Sequence, residues 1–305
     1  MIMTEILKYI IDYFRRVSIG VLIACTLLAA LMIFVNFHYG IDDKIDDLNS
    51  IAASFYYRYL IFLIAFALPY IFYAIYGKNY FNRALIFSLI ILSPAIFSWK
   101  MAMSTYLHLS DDPIWNYYWN QVIYWPIRLL VMSFILFIIW KIYYANESFF
   151  GLTIRNFTWK PYLIMLLIMV PLIAAASTQP DFLRMYPKLS DVNSILYSIK
   201  NKWFFQLLHE LSYGSDFISV ELFFRGFLVL AFIKLVGKDA ILPMACFYCT
   251  IHFGKPLGEC ISSYFGGIIL GIVVYNTRSI IGGLTVHLGI AWLMELGGYI
   301  GNSLT

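Results

Sequence analysis

A succession of apolar runs, most of them close to the length of a bilayer crossing, limits this chain more than any other feature. Nine such runs fall at roughly 17–37, 54–76, 84–103, 120–144, 161–177, 203–236, 239–252, 259–276 and 279–300. A helix needs about 20 predominantly apolar residues to cross the hydrocarbon core. The expected fold is therefore an all-α, polytopic, integral membrane protein with about eight or nine transmembrane helices and the lipid bilayer as its first partner. A composition of 62% hydrophobic and 12% charged residues excludes an ordinary soluble domain of 305 residues. The formal charge of +4 is small and scattered, which argues against a nucleic-acid partner.

Two runs depart from a simple crossing. The sixth is too long for one straight span, and the polar stretch Ser212-Tyr213-Gly214-Ser215-Asp216 is expected to split a 203–211 piece from a 217–236 helix. The seventh, 239–252, is short enough to be tilted or partly re-entrant.

The first run, Val17 to Phe37, is too long for the apolar part of a cleavable signal and has no small-x-small cleavage site. Ahead of it, Met3, Ile6, Leu7, Ile10 and Phe14 recur at helical spacing beside Lys8, Arg15 and Arg16. That pattern fits an interfacial amphipathic helix or an extension of the first span. Basic residues gather in alternate connections, at Lys78 and Arg83, at Lys141, Arg155 and Lys160, and at Lys234 and Lys238. The intervening loops are acidic, as in Asp42-Asp43-Lys44-Ile45-Asp46-Asp47. The positive-inside rule then puts the N-terminus in the cytoplasm and, after nine crossings, the C-terminus outside; a re-entrant 239–252 segment would invert everything after it. In a bacterium the membrane would be the plasma membrane.

Residues 1–160 carry no concentrated chemistry and read as a membrane scaffold of about four helices; 161–305 read as the domain with the polar site. The four cysteines sit in apolar segments and imply no disulfide framework. Cys246-x-x-Cys249 lies within such a run, where small buried hydrophobes are expected rather than a redox pair.

Ionisable groups at membrane depth are costly and mark functional candidates. Glu221 and Arg225 stand four apart in Val220-Glu221-Leu222-Phe223-Phe224-Arg225-Gly226, with the acid N-terminal, as a helical ion pair prefers. On its own such a pair can simply orient helices. Tyr248 and His252 repeat the four-residue spacing on the next run, and His287 lies in the last. One histidine on an apolar face is usually a hydrogen-bonded core residue; two, near a buried carboxylate, point to a site. Glu221, Arg225, His252 and His287 are its candidate residues. Glu259 and Glu295 fit no site motif. Glu221, His252 and His287 are the ligand types of a His₂Glu zinc centre. The chain nevertheless has no H-E-x-x-H, and Arg225 beside Glu221 would compete with a cation, so neither metal nor cofactor is assigned. Gly267-x-x-x-Gly271 permits close helix approach, expected here within the chain.

The order of these motifs over roughly 200–300 resembles the CPBP family, the CAAX proteases and bacteriocin-processing enzymes also called the Abi family. That family shows E-E-x-x-x-R, F-x-x-x-H and H-x-x-x-N on successive membrane helices. Val220-Glu221-x-x-x-Arg225, Tyr248-x-x-x-His252 and His287-x-x-x-Ala291 occupy those places, with His252-Phe253-Gly254-Lys255-Pro256 and Thr277-Arg278-Ser279-Ile280 around them. The resemblance implies a CPBP-like core in the C-terminal half. It also implies a glutamic intramembrane peptidase chemistry. The first glutamate and the F-x-x-x-H histidine would activate water, and the last histidine and the asparagine would stabilise the oxyanion.

Two positions depart from the pattern. Val220 replaces the first glutamate and cannot move protons; Ala291 replaces the asparagine and has no side-chain donor. Adjacent helix positions point about 100° apart, so Glu221 does not automatically take over from Val220. Two readings follow. One is a homologue with lost or reduced peptidase activity, a pseudoenzyme acting as a peptide-binding, scaffold or immunity-type protein. The other is an active endopeptidase for prenylated (CAAX) proteins or peptide leaders. A transporter is disfavoured because no repeated half with broken helices is present.

Overall fold

A computed structural model describes the backbone of residues 2–155, 157–197 and 199–304, with side chains from Glu5 onward. Met3, the first residue of the expected amphipathic stripe, lies outside the described side chains. Among the described residues all regular structure is helical. In chain order the helices are α1 (Ile2–Arg16), α2 (Ile19–Tyr39), α3 (Ile41–Asp46), α4 (Ile51–Ile75), α5 (Ala84–Ala102), α6 (Pro113–Tyr143) and α7 (Lys160–Ala176). There follow α8 (Pro180–Met185), α9 (Ser190–Leu196), α10 (Lys202–Glu221), a π-helical continuation Leu222–Ala231, α11 (Ile233–Val236), α12 (Ile241–Thr250), α13 (Leu257–Thr277) and α14 (Ile281–Leu304).

Among the described residues, six helices are long and apolar enough to cross a membrane: α2, α4, α5, α6, α13 and α14. The chain is an integral, multi-pass membrane protein. Each of the nine apolar runs is helical, but three fall short as independent spans. α7 has 17 residues and α12 only 10. At 1.5 Å per residue α12 is roughly 15 Å long, about half the hydrocarbon thickness. α10 carries Lys202, His209, Glu210, Asp216 and Glu221, too many polar groups for an ordinary lipid-facing span.

The expected break at 212–216 is absent, and α10 runs unbroken through it into the π-helical segment. The polar residues there are satisfied inside the helix or against α6. Ser212 Oγ donates to the Val122 carbonyl, Ser215 Oγ to the Ser212 carbonyl at 2.6 Å, and Ser219 Oγ to the Asp216 carbonyl at 2.8 Å. A hydroxyl bonded back to a carbonyl one turn earlier leaves the helix intact. Gly214 permits close packing, because a Cβ there would sit 3.2 Å from Leu288 and 3.5 Å from Trp292 of α14.

The helices form two compact units interleaved along the chain. The first comprises residues 1–103, 150–152 and 224–279; the second comprises 104–149, 153–223 and 280–305. In the first, Val17, Val21, Cys25, Ala29 and Ile33 recur every four residues and pack on Ile241, Ala245 and Cys249 of α12 and on Cys260, Tyr264 and Ile268 of α13. Ile19, Ile23, Leu27 and Leu31, on the other face of α2, are exposed, as a lipid-facing surface would be. Gly267 and Gly271 seat α13 on α12: a Cβ at Gly267 would lie 3.2 Å from Tyr248, and one at Gly271 would lie 2.8 Å from Met244. The expected intrachain role of this pair is what the packing gives. An aromatic cluster of Phe62, Phe97, Phe224 and Phe247 anchors the N-terminal part of the π-helical segment in this unit.

In the second unit α10 lies between α6 and α14. Tyr118 donates to the Phe205 carbonyl at 2.8 Å, and Trp125 packs edge-on against His209 and Tyr213. α7 and α8 close on α14 through Ile173, Phe182, Tyr186 and Met294.

Candidate functional site

In the second unit, Glu210, Gly214, Phe217 and Glu221 follow one another at steps of four, three and four, a single stripe of α10. That stripe faces α14. The carboxyl of Glu210 lies beside that of Glu295. Gly214 meets Leu288 and Trp292, the Phe217 ring lies edge-on to His287 at 4.8 Å, and Glu221 Oε1 is 2.9 Å from His287 Nδ1. Glu221 is 0 % exposed. A carboxylate only accepts, so Nδ1 of His287 is the donor. Glu221 thus holds the imidazole in one orientation, as a carboxylate does for a histidine in many active sites.

Glu295, which fits no motif in the sequence, has a structural partner. Its two oxygens accept the backbone N–H groups of Lys188 at 2.9 Å and Leu189 at 3.3 Å, tying the loop after α8 to α14. Val220 and Ala291, where the CPBP pattern has glutamate and asparagine, are both buried, at 6% and 2% exposed.

In the first unit, the Arg225 guanidinium lies 3.9 Å from the centre of the Tyr248 ring, and Arg225 is 0 % exposed. A cation over an aromatic face is attracted by the ring quadrupole, more so when desolvated. The Tyr248 ring also stands against His252, with centroids 4.7 Å apart. His252 Nδ1 is 3.0 Å from the Tyr248 carbonyl, one turn earlier. A carbonyl also only accepts, so His252, like His287, donates from Nδ1. The turn after α12 that carries His252 is bracketed by two thiols: Cys249 Sγ approaches the Cys260 carbonyl at 3.5 Å and Cys260 Sγ the Cys249 carbonyl at 3.8 Å. Cys246 and Cys249 are buried free thiols, as expected of small core residues.

The four candidate residues therefore fall into two groups. Glu221 joins His287 in one compact unit, and Arg225 joins the Tyr248–His252 pair in the other. Glu221 and Arg225 are both buried, as expected. A further imidazole, His209 on α10, is fully buried and packs on Trp125. Its position inside a run that also holds Glu210 could have marked it.

These helices and buried groups define an integral, all-helical membrane protein with polar side chains set into its C-terminal helices. Residues 216–293 match the family model described as type II CAAX prenyl endopeptidase Rce1-like, a segment that includes Val220, Glu221, Arg225, His252, His287 and Ala291. The match supports the CPBP/CAAX protease family for this C-terminal segment of a multi-pass membrane protein. No curated protein and no solved structure matches the chain.

Proposed function

We propose that this protein is a CPBP-family homologue with lost or strongly reduced peptidase activity, binding a peptide or a prenylated protein in the membrane. The carrying observation is the commitment of Glu221. The position that resembles the family's water-activating glutamate is the buried Val220, and the remaining carboxylate is fully buried and bonded to His287 at 2.9 Å. A carboxylate holding a donor through one oxygen in a dry environment orients an imidazole more readily than it takes a proton from water. Ala291 further removes a side-chain donor from the position that resembles the family's oxyanion asparagine, and loss of one such donor typically costs about 100- to 1000-fold in rate. In this reading residues 161–305 carry the polar residues of the function, Glu221, Arg225, His252 and His287, and 1–160 support them.

A second reading keeps proteolysis. The Glu221–His287 contact itself supports it, since an imidazole oriented by a carboxylate through Nδ1 can act as general base through Nε2. The two readings differ in one assay. The full-length protein in nanodiscs is given a farnesylated CAAX reporter peptide, and both binding and cleavage are followed. The first reading expects saturable binding without turnover. Turnover abolished by His287→Ala or His252→Ala would establish the second. Neither binding nor turnover would count against both.

A further inference from the structure

The turn that carries His252 is held at its tip by residues far away in the sequence. The Asn36 side-chain amide of α2 donates to the Phe253 carbonyl at 3.0 Å, across 217 positions of chain. The same amide's oxygen accepts the backbone N–H of Asp42 at 3.0 Å. Asp42 in turn accepts from Arg58 Nη1 at 2.8 Å, while Arg58 Nη2 bonds Asp46. Asn36 and Arg58 are buried, at 4% and 5% exposed, inside an otherwise apolar unit. The contact is close as well as polar, because a Cβ at Gly254 would lie 2.5 Å from the Asp42 carboxylate. All of these residues belong to one compact unit.

Two buried polar groups, Asn36 and Arg58, with the half-buried Asp42 are costly to place among α2, α3 and α4. A clamp only for the α2–α3 corner would need Arg58 and the acids, but not an asparagine directed at a carbonyl next to His252. We infer that Asn36, Asp42 and Arg58 are positioning residues for His252. Arg58 fixes Asp42 by two charge-assisted bonds to the α3 acids, and the Asp42 amide fixes the Asn36 side chain. Asn36 then pins the Phe253 carbonyl, so the Phe253–Gly254 peptide, one residue beyond His252, cannot rotate. With the turn fixed, the His252 ring keeps its Nδ1–H on the Tyr248 carbonyl and its Nε2 in one direction. Partners at this remove commonly change a site's affinity or activity about 10- to 100-fold. The inference rests on the reading of His252 as part of the polar site, and it gives the N-terminal helices a chemical task beyond scaffolding.

The test reads the imidazole directly. Full-length protein labelled with ¹⁵N-histidine and held in nanodiscs contains five histidines, and His252→Ala assigns the signal. Wild type should show His252 as a single Nδ1–H tautomer. Asn36→Ala should convert that signal to a mixture of tautomers while leaving His287 unchanged, and Asn36→Gln should restore it in part. Gly254→Ala, which leaves every polar group in place but pushes on Asp42, should give the same shift if Asn36→Ala does not fold. An unaltered His252 signal in a folded Asn36→Ala or Gly254→Ala protein would overturn the inference. The readout needs no turnover, so a protein that never cleaves peptide leaves this result standing or falling on its own.

Discussion

His287 and His252 are both half-buried imidazoles on C-terminal elements, and both donate from Nδ1, but they are held by different means. His287 is bonded to a carboxylate on a neighbouring helix, within a stripe of side chains where α10 and α14 face each other. His252 is bonded to the backbone of its own helix, and its turn is fixed from outside by an asparagine and a buried arginine of the N-terminal helices. A charged partner fixes a ring strongly and locally, at the cost of burying a charge that becomes a liability if the ring is lost. A backbone partner costs little but leaves orientation to whatever holds the turn. The region held by Glu221 should therefore be sensitive to loss of its histidine, and the His252 region sensitive to loss of its supports.

The largest expected effect follows from removing His287. His287→Leu removes this donor from Glu221 inside a dry helix pair, and a buried hydrogen bond to a charged group is typically worth about 1.5–3 kcal/mol. Thermal unfolding in detergent should show a clear fall in Tm, relieved by the double change Glu221→Leu with His287→Leu. A single variant as stable as wild type would mean that Glu221 is solvated or has another adequate partner.

His252→Leu should be milder. It removes one hydrogen bond to a carbonyl, a loss of about 0.5–1.5 kcal/mol, and leaves no charge behind. If the same unfolding measurement found it as damaging as His287→Leu, the contrast between the two imidazoles would collapse.

The smallest effect concerns Asp42, which lies outside the spans. Burial raises its pKa above the ordinary carboxylate value, against the opposing pull of Arg58. The folded protein therefore binds this proton more tightly than the unfolded chain. Its contribution is fully present below the ordinary aspartate pKa of about 4, declines as pH rises through the raised folded value, and is level above it. Hydrogen exchange at the α3 amides should become faster over that window in wild type and lose this pH step in Asp42→Asn. An Asp42→Asn protein with the wild-type pH profile would assign the step to another group.

Much of this architecture is legible in the sequence because apolar length and spacing are enough to define it. Each long run is a helix, and the four-residue recurrence from Val17 to Ile33 is the buried face of α2. Other elements fail for identifiable reasons. Ser212 to Asp216 reads as a break because hydroxyls and glycine favour turns, whereas in the folded chain the hydroxyls bond carbonyls within reach and the glycine admits α14. Glu221, Arg225, His252 and His287 stand out as polar groups in apolar runs, but the sequence carries no sign that Glu221 partners His287 across 66 positions. The Asn36–Asp42–Arg58 support was missed because the acid-rich 42–47 stretch reads as an exposed loop. Arg58, an isolated cation inside an apolar run, was the available signal.

The central claim is that a buried valine stands where a CAAX-type protease needs its base, while the neighbouring glutamate is occupied in holding a histidine. The most direct measurement is cleavage of a farnesylated CAAX reporter by wild type, Val220→Glu, and Val220→Glu with Ala291→Asn, all full-length in nanodiscs. The account predicts no turnover by wild type, measurable turnover by Val220→Glu, and a further rise of about 100- to 1000-fold in the double variant as the oxyanion donor returns. Efficient cleavage by wild type that is lost in Glu221→Gln would contradict it, because Glu221 would then be the working base.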